Sequence, residues 1–280
     1  MPSVLITGTS TGIGAECALR LNGMGWQVFA GVRRGEDGAA LREKARYKDH
    51  LTPVLLDVTD AESISSAIQL IEAKVGEQGL DGLVNNAGIA IAVPIEFLPI
   101  DELRKQLEVN VIGQVAVTQA AIPLLRTAHG RIVNIGSVSG RISTPLLGPY
   151  SVSKFAMDTL SDTLRMELRP WHIHVAYVQP SGIATPIWSK ALAEGDRIGQ
   201  QLPDRAHMLY GSVIGQMRER ATQAVHNGMP VRTVGKAVAH ALVSSRPRTR
   251  YPIGSIAIVG EVLRILPDKW RNRLIMMQFK

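Results

Sequence analysis

The sequence predicts an α/β protein built on a doubly wound parallel sheet, and three observations carry that prediction. Short apolar segments alternate with longer segments of helical character along most of the chain. The short segments are apolar on both faces, as strands are when helices cover the sheet on either side. Each is separated from the next by a crossover of ten or more residues, and right-handed crossovers wind such a sheet in both directions. No internal repeat or low-complexity linker interrupts the pattern, so one domain over residues 1–280 is expected.

The elements follow in order. Residues 4–7 form a first strand that runs into Gly8, Gly12 and Gly14, and a helix over 14–24 is stopped by Gly23 and Gly25. A second strand at 27–32 leads to a helix at 37–47 with polar and charged positions on one side. Residues 53–56 make a third strand closed by Asp57, and Thr59 or Asp60 caps a helix over 61–75. The fourth strand, 80–84, ends in Asn85-Asn86-Ala87-Gly88. A long helix spans 99–125, followed by a strand at 131–135, a helix at 150–168 and a strand at 173–178.

The rhythm then breaks. Residues 183–188 read as a loop, 189–194 as a short helix and 204–224 as a longer amphipathic one. An open α/β sheet binds its ligand off the carboxyl ends of the strands, so an insertion after the sixth strand is placed to cover that crevice. Apolar residues including Ile187, Trp188, Leu192, Met208, Leu209, Tyr210, Val213, Ile214 and Met217 make residues 183–230 a greasy lid over it.

Composition bounds the function. The longest apolar stretches are strand-length, so no membrane span is expected, and the chain enters a strand too early for a signal peptide. A lone cysteine, Cys17, excludes an internal disulfide and fits a reducing, cytoplasmic setting. The net charge of +7 is dispersed, with no zinc-finger spacing and no aromatic-basic pattern, which argues against nucleic acid and for an anionic cofactor. His172 and His174 alternate on a strand and share a face, but no third ligand stands at a metal-binding spacing, so no metal is expected. Residues 258–280 alternate apolar side chains with Arg264, Lys269, Arg271, Arg273 and Lys280. Such a basic amphipathic stretch suits a membrane surface, a cover for the substrate entrance, or a subunit interface.

The opening stretch reads two ways. Gly8-Thr9-Ser10-Thr11-Gly12 spells the nucleophile elbow of serine hydrolases, with Ser10 as the nucleophile. The same residues, continued to Gly14, form a glycine-rich loop between a first strand and a first helix, which can cradle a dinucleotide pyrophosphate. An elbow borrows an oxyanion donor from an earlier strand-to-helix loop, and only nine residues precede Ser10. Position therefore favours the cofactor loop, with Gly8 for the turn, Gly12 and Gly14 for close approach, and Ser10, Thr11 and Ile13 beside the phosphates. At the end of the second strand stand Arg33 and Arg34, with no acid until Glu36. An arginine there accommodates a 2′-phosphate, so NADP(H) is expected over NAD(H).

The reaction centre lies further on. Tyr150 and Lys154 are spaced i, i+4 and share one helical face. The ammonium is expected to lower the phenol pKa, so that Tyr150 exchanges a proton with a carbonyl or alcohol oxygen. Ser137, at the end of the fifth strand, is placed to hydrogen-bond the same oxygen, and a nicotinamide supplies the hydride. A non-catalytic dinucleotide-binding regulator is the alternative, and it leaves those proton-transfer residues without a use.

On these residues the chain resembles the short-chain dehydrogenase/reductase family. The resemblance covers roughly residues 3–188: Thr7-Gly8-x-x-x-Gly12-Ile13-Gly14, Asp57-Val58, Asn85-Asn86-Ala87-Gly88, Asn110, Ser137 and Tyr150-x-x-x-Lys154. It implies a seven-stranded Rossmann sheet and catalysis by Asn110, Ser137, Tyr150 and Lys154, with Asn110 interrupting its helix to hold a relay water. It also implies that Asp57 and Val58 meet the adenine, that Asn86, Ala87 and Gly88 border the cofactor, and that Pro180, Ile183 and Thr185 lie by the carboxamide. One departure is visible: the family's Pro-Gly is Pro180-Ser181 here, with Gly182 one place late. The Val-Arg-Arg after strand two and the long apolar lid resemble the hydroxysteroid and retinol dehydrogenase branch, which implies a bulky apolar alcohol or ketone. Members commonly form dimers or tetramers through the helices that carry Asn110 and Tyr150.

Overall fold

The computed structural model describes residues 1–277. Strands β1 (Ser3–Ile6), β2 (Gln27–Val32), β3 (Leu51–Leu55), β4 (Gly82–Asn85), β5 (Arg131–Ile135), β6 (His174–Pro180) and β7 (Arg250–Ile253) form one parallel sheet in the order β3-β2-β1-β4-β5-β6-β7. The winding direction reverses between β1 and β4, which opens a crevice at their carboxyl ends.

Side-chain alternation divides the core in two. Val4, Ile6, Val28, Ala30 and Val133 pack on one face with α1 (Gly12–Gly23) and α9 (Arg232–Val243). Leu5, Phe29, Leu83, Ile132 and Val175 point to the other, against α3 (Ala61–Val75) and α5 (Gly113–Ala128). Strands with both faces buried read as continuous apolar runs, which is why the sequence revealed them.

Several boundaries move for identifiable reasons. The helix expected at 37–47 is α2 (Gly35–Glu43), because the Asn22 side chain bonds both the carbonyl (2.8 Å) and the N–H (3.0 Å) of Tyr47 and pulls the chain out of helical geometry. The helix expected over 99–125 is composite: α4 (Ile100–Leu107), a π-helical turn at Glu108–Ile112, then α5. Contrary to the expectation that apolar runs are only strand-length, this composite of residues 100–128 is long and apolar enough by composition to cross a membrane. It lies against the sheet, with Val117, Ala121 and Leu125 in the core.

His172 takes a left-handed conformation (φ 57°) before β6 begins, so it does not share a strand face with His174. The ring of His172 meets that of His129, while His174 Nε2 lies 3.2 Å from the Arg248 carbonyl. Among the described residues no group of three or more His, Cys, Asp or Glu is placed to hold a metal.

After α6 (Gly148–Glu167) and β6, residues 183–185 are irregular as expected, but 186–188 join the expected short helix in one longer helix, α7 (Pro186–Gly199), started by a proline at its first position. It is followed by α8 (Asp204–Asn227). The C-terminal stretch forms α10 (Ser255–Leu263) and α11 (Asp268–Met276); residues 278–280, Lys280 among them, lie outside the described residues.

Candidate active site

The turn leaving β1 is held from below by side chains. Thr7 Oγ1 accepts the N–H groups of Asn86 and Ala87, both at 2.9 Å, and Asn86 Nδ2 donates to the carbonyls of Thr7 and Gly8, also at 2.9 Å. Gly8 and Gly12 sit at φ +67° and +63°, a region that disfavours side chains. A Cβ on Gly14 would lie 2.3 Å from the Gly8 carbonyl oxygen, so α1 packs directly onto the turn. No side chain caps the N-terminus of α1, and its first N–H groups face an open crevice.

That crevice is one end of a cavity of about 1630 Å³. Gly8, Ser10, Thr11, Gly12 and Ile13 line it, then Arg33, Asp57, Val58, Asn86, Ala87 and Gly88, then Ser137, Tyr150, Lys154, Pro180, Ile183 and Thr185. Three of the expected residues lie off the lining. Gly14 packs behind the turn, Arg34 is exposed and bonded to Asp37 through two 3.0 Å contacts, and Asn110 is buried. Partial burial raises the Asp57 pKa, but hydrogen bonds from Thr59 and the charge of Arg33 outweigh it and hold the carboxyl below its ordinary range. After β6, Gly182, the glycine that stands one place late, takes a left-handed conformation (φ +57°). Its carbonyl accepts from the Met229 N–H at 2.8 Å, and the Met229 carbonyl accepts from the Ala184 N–H at 3.0 Å.

The other end gathers the proton-transfer candidates. Ser137 and Tyr150 face the same cavity, and the Ser137 side chain acts on the phenol so as to favour its charged form. Lys154 Nζ lies 5.6 Å from the centre of the Tyr150 ring and donates to the Ile135 carbonyl at 2.9 Å. The Asn110 side chain accepts from the Ile89 N–H (2.8 Å) and donates to the Ile89 carbonyl (2.9 Å) and to Ser153 Oγ (3.0 Å). The π-helical turn that carries Asn110 is what aims it there. The expectation that Lys154 lowers the Tyr150 pKa needs correcting for this state of the site. Burial pushes the phenol up to about 12, only partly offset by Ser137, and burial pulls the Lys154 ammonium down to about 8. Desolvation decides both shifts, because both groups are buried and the ammonium is hydrogen-bonded to the Ile135 carbonyl.

Beyond Tyr150 the cavity turns apolar, walled by Ile142, Leu147, Met217, Leu263 and Ile275. Helices α7 and α8 cover it with Ile187, Trp188 and Met217, whereas Met208 and Leu209 are exposed. A clamp ties α7 to α4: Glu194 meets Lys105 at 2.5 Å and Arg197 at 3.0 Å, and Arg197 also pairs with Glu102. The hydrogen bonds from Arg197 and Lys105 hold the Glu194 carboxyl down at about 2.

The short-chain dehydrogenase model matches residues 2–195. The chain belongs to that family. Its relatives include an NADPH-dependent 3-dehydrocapnine reductase from Ornithobacterium rhinotracheale, 32% identical across 100% of this chain and 98% of that protein. Retinol dehydrogenase 5 of Mus musculus is 36% identical across 90% of this chain and 80% of its own length. Among solved structures, a short-chain dehydrogenase from Streptomyces avermitilis superposes with a TM-score of 0.76 at 28% identity, covering 98% of this chain and 95% of that one. As a short-chain dehydrogenase, the protein is an NAD(P)-dependent oxidoreductase acting on CH–OH groups. The uncapped helix N-terminus and the turn opened by Gly8 and Gly12 fit the pyrophosphate of such a cofactor, which brings a hydride to the site when bound.

Sequence reading missed a buried polar layer behind these residues. Asn85 Nδ2 donates to Thr118 Oγ1 and to Asn134 Oδ1, and Asn134 Nδ2 donates to Ser161 Oγ, each at 2.8 Å. It also missed Arg141, which is buried and paired with Asp158 (2.7 Å) and Glu261 (2.9 Å), tying α10 to the helix that carries Tyr150. An arginine four residues after Ser137 carries no signal that distinguishes it from a surface cation.

Proposed function

We propose that this short-chain dehydrogenase uses NADP(H) to interconvert a hydrophobic ketone or aldehyde and its alcohol, with Tyr150 as acid/base. The observation that carries this reading is the meeting of Ser137, Tyr150 and Lys154 in the same cavity as the glycine turn. A phenol held near pKa 12 is neutral at physiological pH, the state that donates a proton to a carbonyl oxygen receiving hydride. Ser137 holds that oxygen, and the Lys154 charge favours the phenolate when the reaction runs toward the ketone. Asn110, fixed by Ile89 and Ser153, braces the turn beside Gly88. Arg33 at the cavity rim supports NADP(H), because a guanidinium matches a 2′-phosphate. A non-catalytic regulator gives the proton-transfer set no role.

The apolar far wall supports a bulky, greasy substrate, and α7 and α8 act as the lid over it. The test follows NADPH and NADH absorbance with steroid, retinoid and small carbonyl substrates, using Tyr150→Phe as control. Turnover that survives unchanged in the Phe variant overturns the assignment.

The reading extends to surroundings. A cytoplasmic protein fits the single buried thiol, Cys17. Exposed Ile112, Val152 and Phe155, on the helical segments that carry Asn110 and Tyr150, support self-association, which sedimentation velocity tests. On α10, α11 and the turn between them the outward side chains of Ile258, Val262, Ile265 and Trp270 are exposed among Arg264, Lys269 and Arg273. That combination suits an anionic lipid surface, and Val259 and Leu263 of the same α10 line the cavity. Flotation with phosphatidylglycerol vesicles, for the intact chain and one truncated after residue 260, tests it; equal flotation rejects the contact.

A further inference from the structure

Tyr177 stands out among buried groups that the chemistry above does not use. It sits in the middle of β6, fully buried, between Ala176 and Val178. A phenol placed among aliphatic strand residues needs a partner for its hydroxyl. Here the hydroxyl donates to the Lys154 backbone carbonyl at 2.8 Å. That carbonyl lies inside α6, where the helix already offers it an N–H, so the phenol takes its second lone pair. The Gly136 N–H donates to the Val178 carbonyl at 2.8 Å, which holds the Ser137 segment beside this phenol. Asp158, Arg141 and Tyr150 are the other titratable groups that act on it, and the Arg250 guanidinium lies 5.9 Å from the ring centre.

Two glycines form the socket. A Cβ at Gly136 would lie 2.0 Å from the ring Cζ, and one at Gly140 would lie 2.7 Å from the hydroxyl and 2.8 Å from the Lys154 carbonyl oxygen. The glycines bracketing the Ser137 segment are therefore bare where the phenol enters. Lys154 is tied to this strand end a second time, through its ammonium on the Ile135 carbonyl.

We propose that Tyr177 is a positioning residue for proton transfer: its hydroxyl sets the distance between the Ser137 segment and the Tyr150–Lys154 face of α6. The proposal rests on the assignment of Tyr150 as acid/base. Core filling alone requires only the ring, whereas positioning requires the hydroxyl, and Tyr177→Phe separates the two.

In the full-length chain, Tyr177→Phe is expected to lower kcat about tenfold, since small displacements of catalytic groups are costly, while leaving KM and the Kd for NADPH within about twofold. The limb of the alcohol-oxidation profile governed by Tyr150 should move to higher pH by about half a unit or more, as Lys154 loses its fixed relation to the phenol. A variant with unchanged kcat and unchanged profile, melting lower than wild type, overturns the proposal. So does a loss shared equally between kcat and KM. If Tyr177→Phe does not hold NADPH, Gly140→Ala carries the test, because its methyl wedges between the retained hydroxyl and the Lys154 carbonyl. The same kcat-selective loss is expected there, and unchanged kcat overturns the idea. Tyr150→Phe is measured alongside: retained activity overturns the acid/base assignment itself, whereas an inactive Tyr150→Phe with an unaffected Tyr177→Phe overturns only the role of Tyr177.

Discussion

Gly14→Ala sets two physical effects against each other. On intrinsic propensity alone, alanine in place of glycine within α1 stabilises a helix by up to about 1 kcal/mol. The structure argues for the opposite sign. The new methyl would stand 2.3 Å from the Gly8 carbonyl oxygen and 2.5 Å from Asn86 Nδ2. The first neighbour is backbone in a positive-φ turn, and the second is an amide that donates to both Thr7 and Gly8. Overpacking of this kind costs about 1–3 kcal/mol. Displacing Asn86 forfeits two hydrogen bonds of about 1 kcal/mol each. A net loss of about 2–4 kcal/mol is expected, enough to lower Tm by about 5 °C or more in a chain of this size. Thermal melts and urea midpoints measure it, and titration of NADPH by fluorescence should show weaker binding, because the turn must part from α1. A variant as stable as wild type, or more so, refutes the argument that backbone contact at Gly14 outweighs helix propensity.

Other perturbations test separate parts of the molecule. Arg141→Met removes one partner of a buried pair and leaves Asp158 to Arg250 alone; a loss of about 3 kcal/mol in urea unfolding is expected, against less than about 0.5 for Arg104→Ala, whose pair with Asp101 is exposed. Burial lowers the Lys154 pKa from 10.5 to about 8, so between those values the unfolded chain binds the extra proton and stability rises with pH. The rise should vanish in Lys154→Met, as alkaline unfolding series without cofactor would show. Tyr150, raised from 10.0 to about 12, acts in the opposite sense over that higher window, so Tyr150→Phe should lessen the loss of stability there. Glu194→Gln loosens the clamp between α7 and α4, and KM for the substrate should rise while kcat is preserved or increased. An unchanged KM would show that the clamp does not govern entry.

How far the sequence alone reached depended on whether a residue's role is local. Strands such as β1 and β5 are legible because burial on both faces leaves an apolar run. Ser137, Tyr150 and Lys154 are legible because a helical spacing beside a strand end is a local pattern. β7 was not, since Arg250-Tyr251-Pro252-Ile253 is short, sits at the sheet edge and contains a proline. The interruption at Asn110 was implied by the family resemblance alone, because the apolar rows on α4 and α5 each keep their own period and leave no mark of it in the pattern. Tyr177 escaped because its meaning depends on Gly136, Gly140 and the Lys154 carbonyl, which meet it only in three dimensions. The sign of the Tyr150 shift was also out of reach, since spacing reveals the neighbouring charge but not the water removed from around both groups.

The widened turn at Glu108–Ile112 also has a bearing on inheritance. It takes up one residue more than an α-helix would use over the same rise, so the winding on either side is kept. Val117, Ala121 and Leu125 therefore stay on the sheet although the chain is one residue longer than regular winding needs. A one-residue deletion in this stretch can be absorbed by a return to regular winding, and what it costs is the aim of the Asn110 side chain at Ile89 and Ser153. Length here is thus tied to the site rather than to the core.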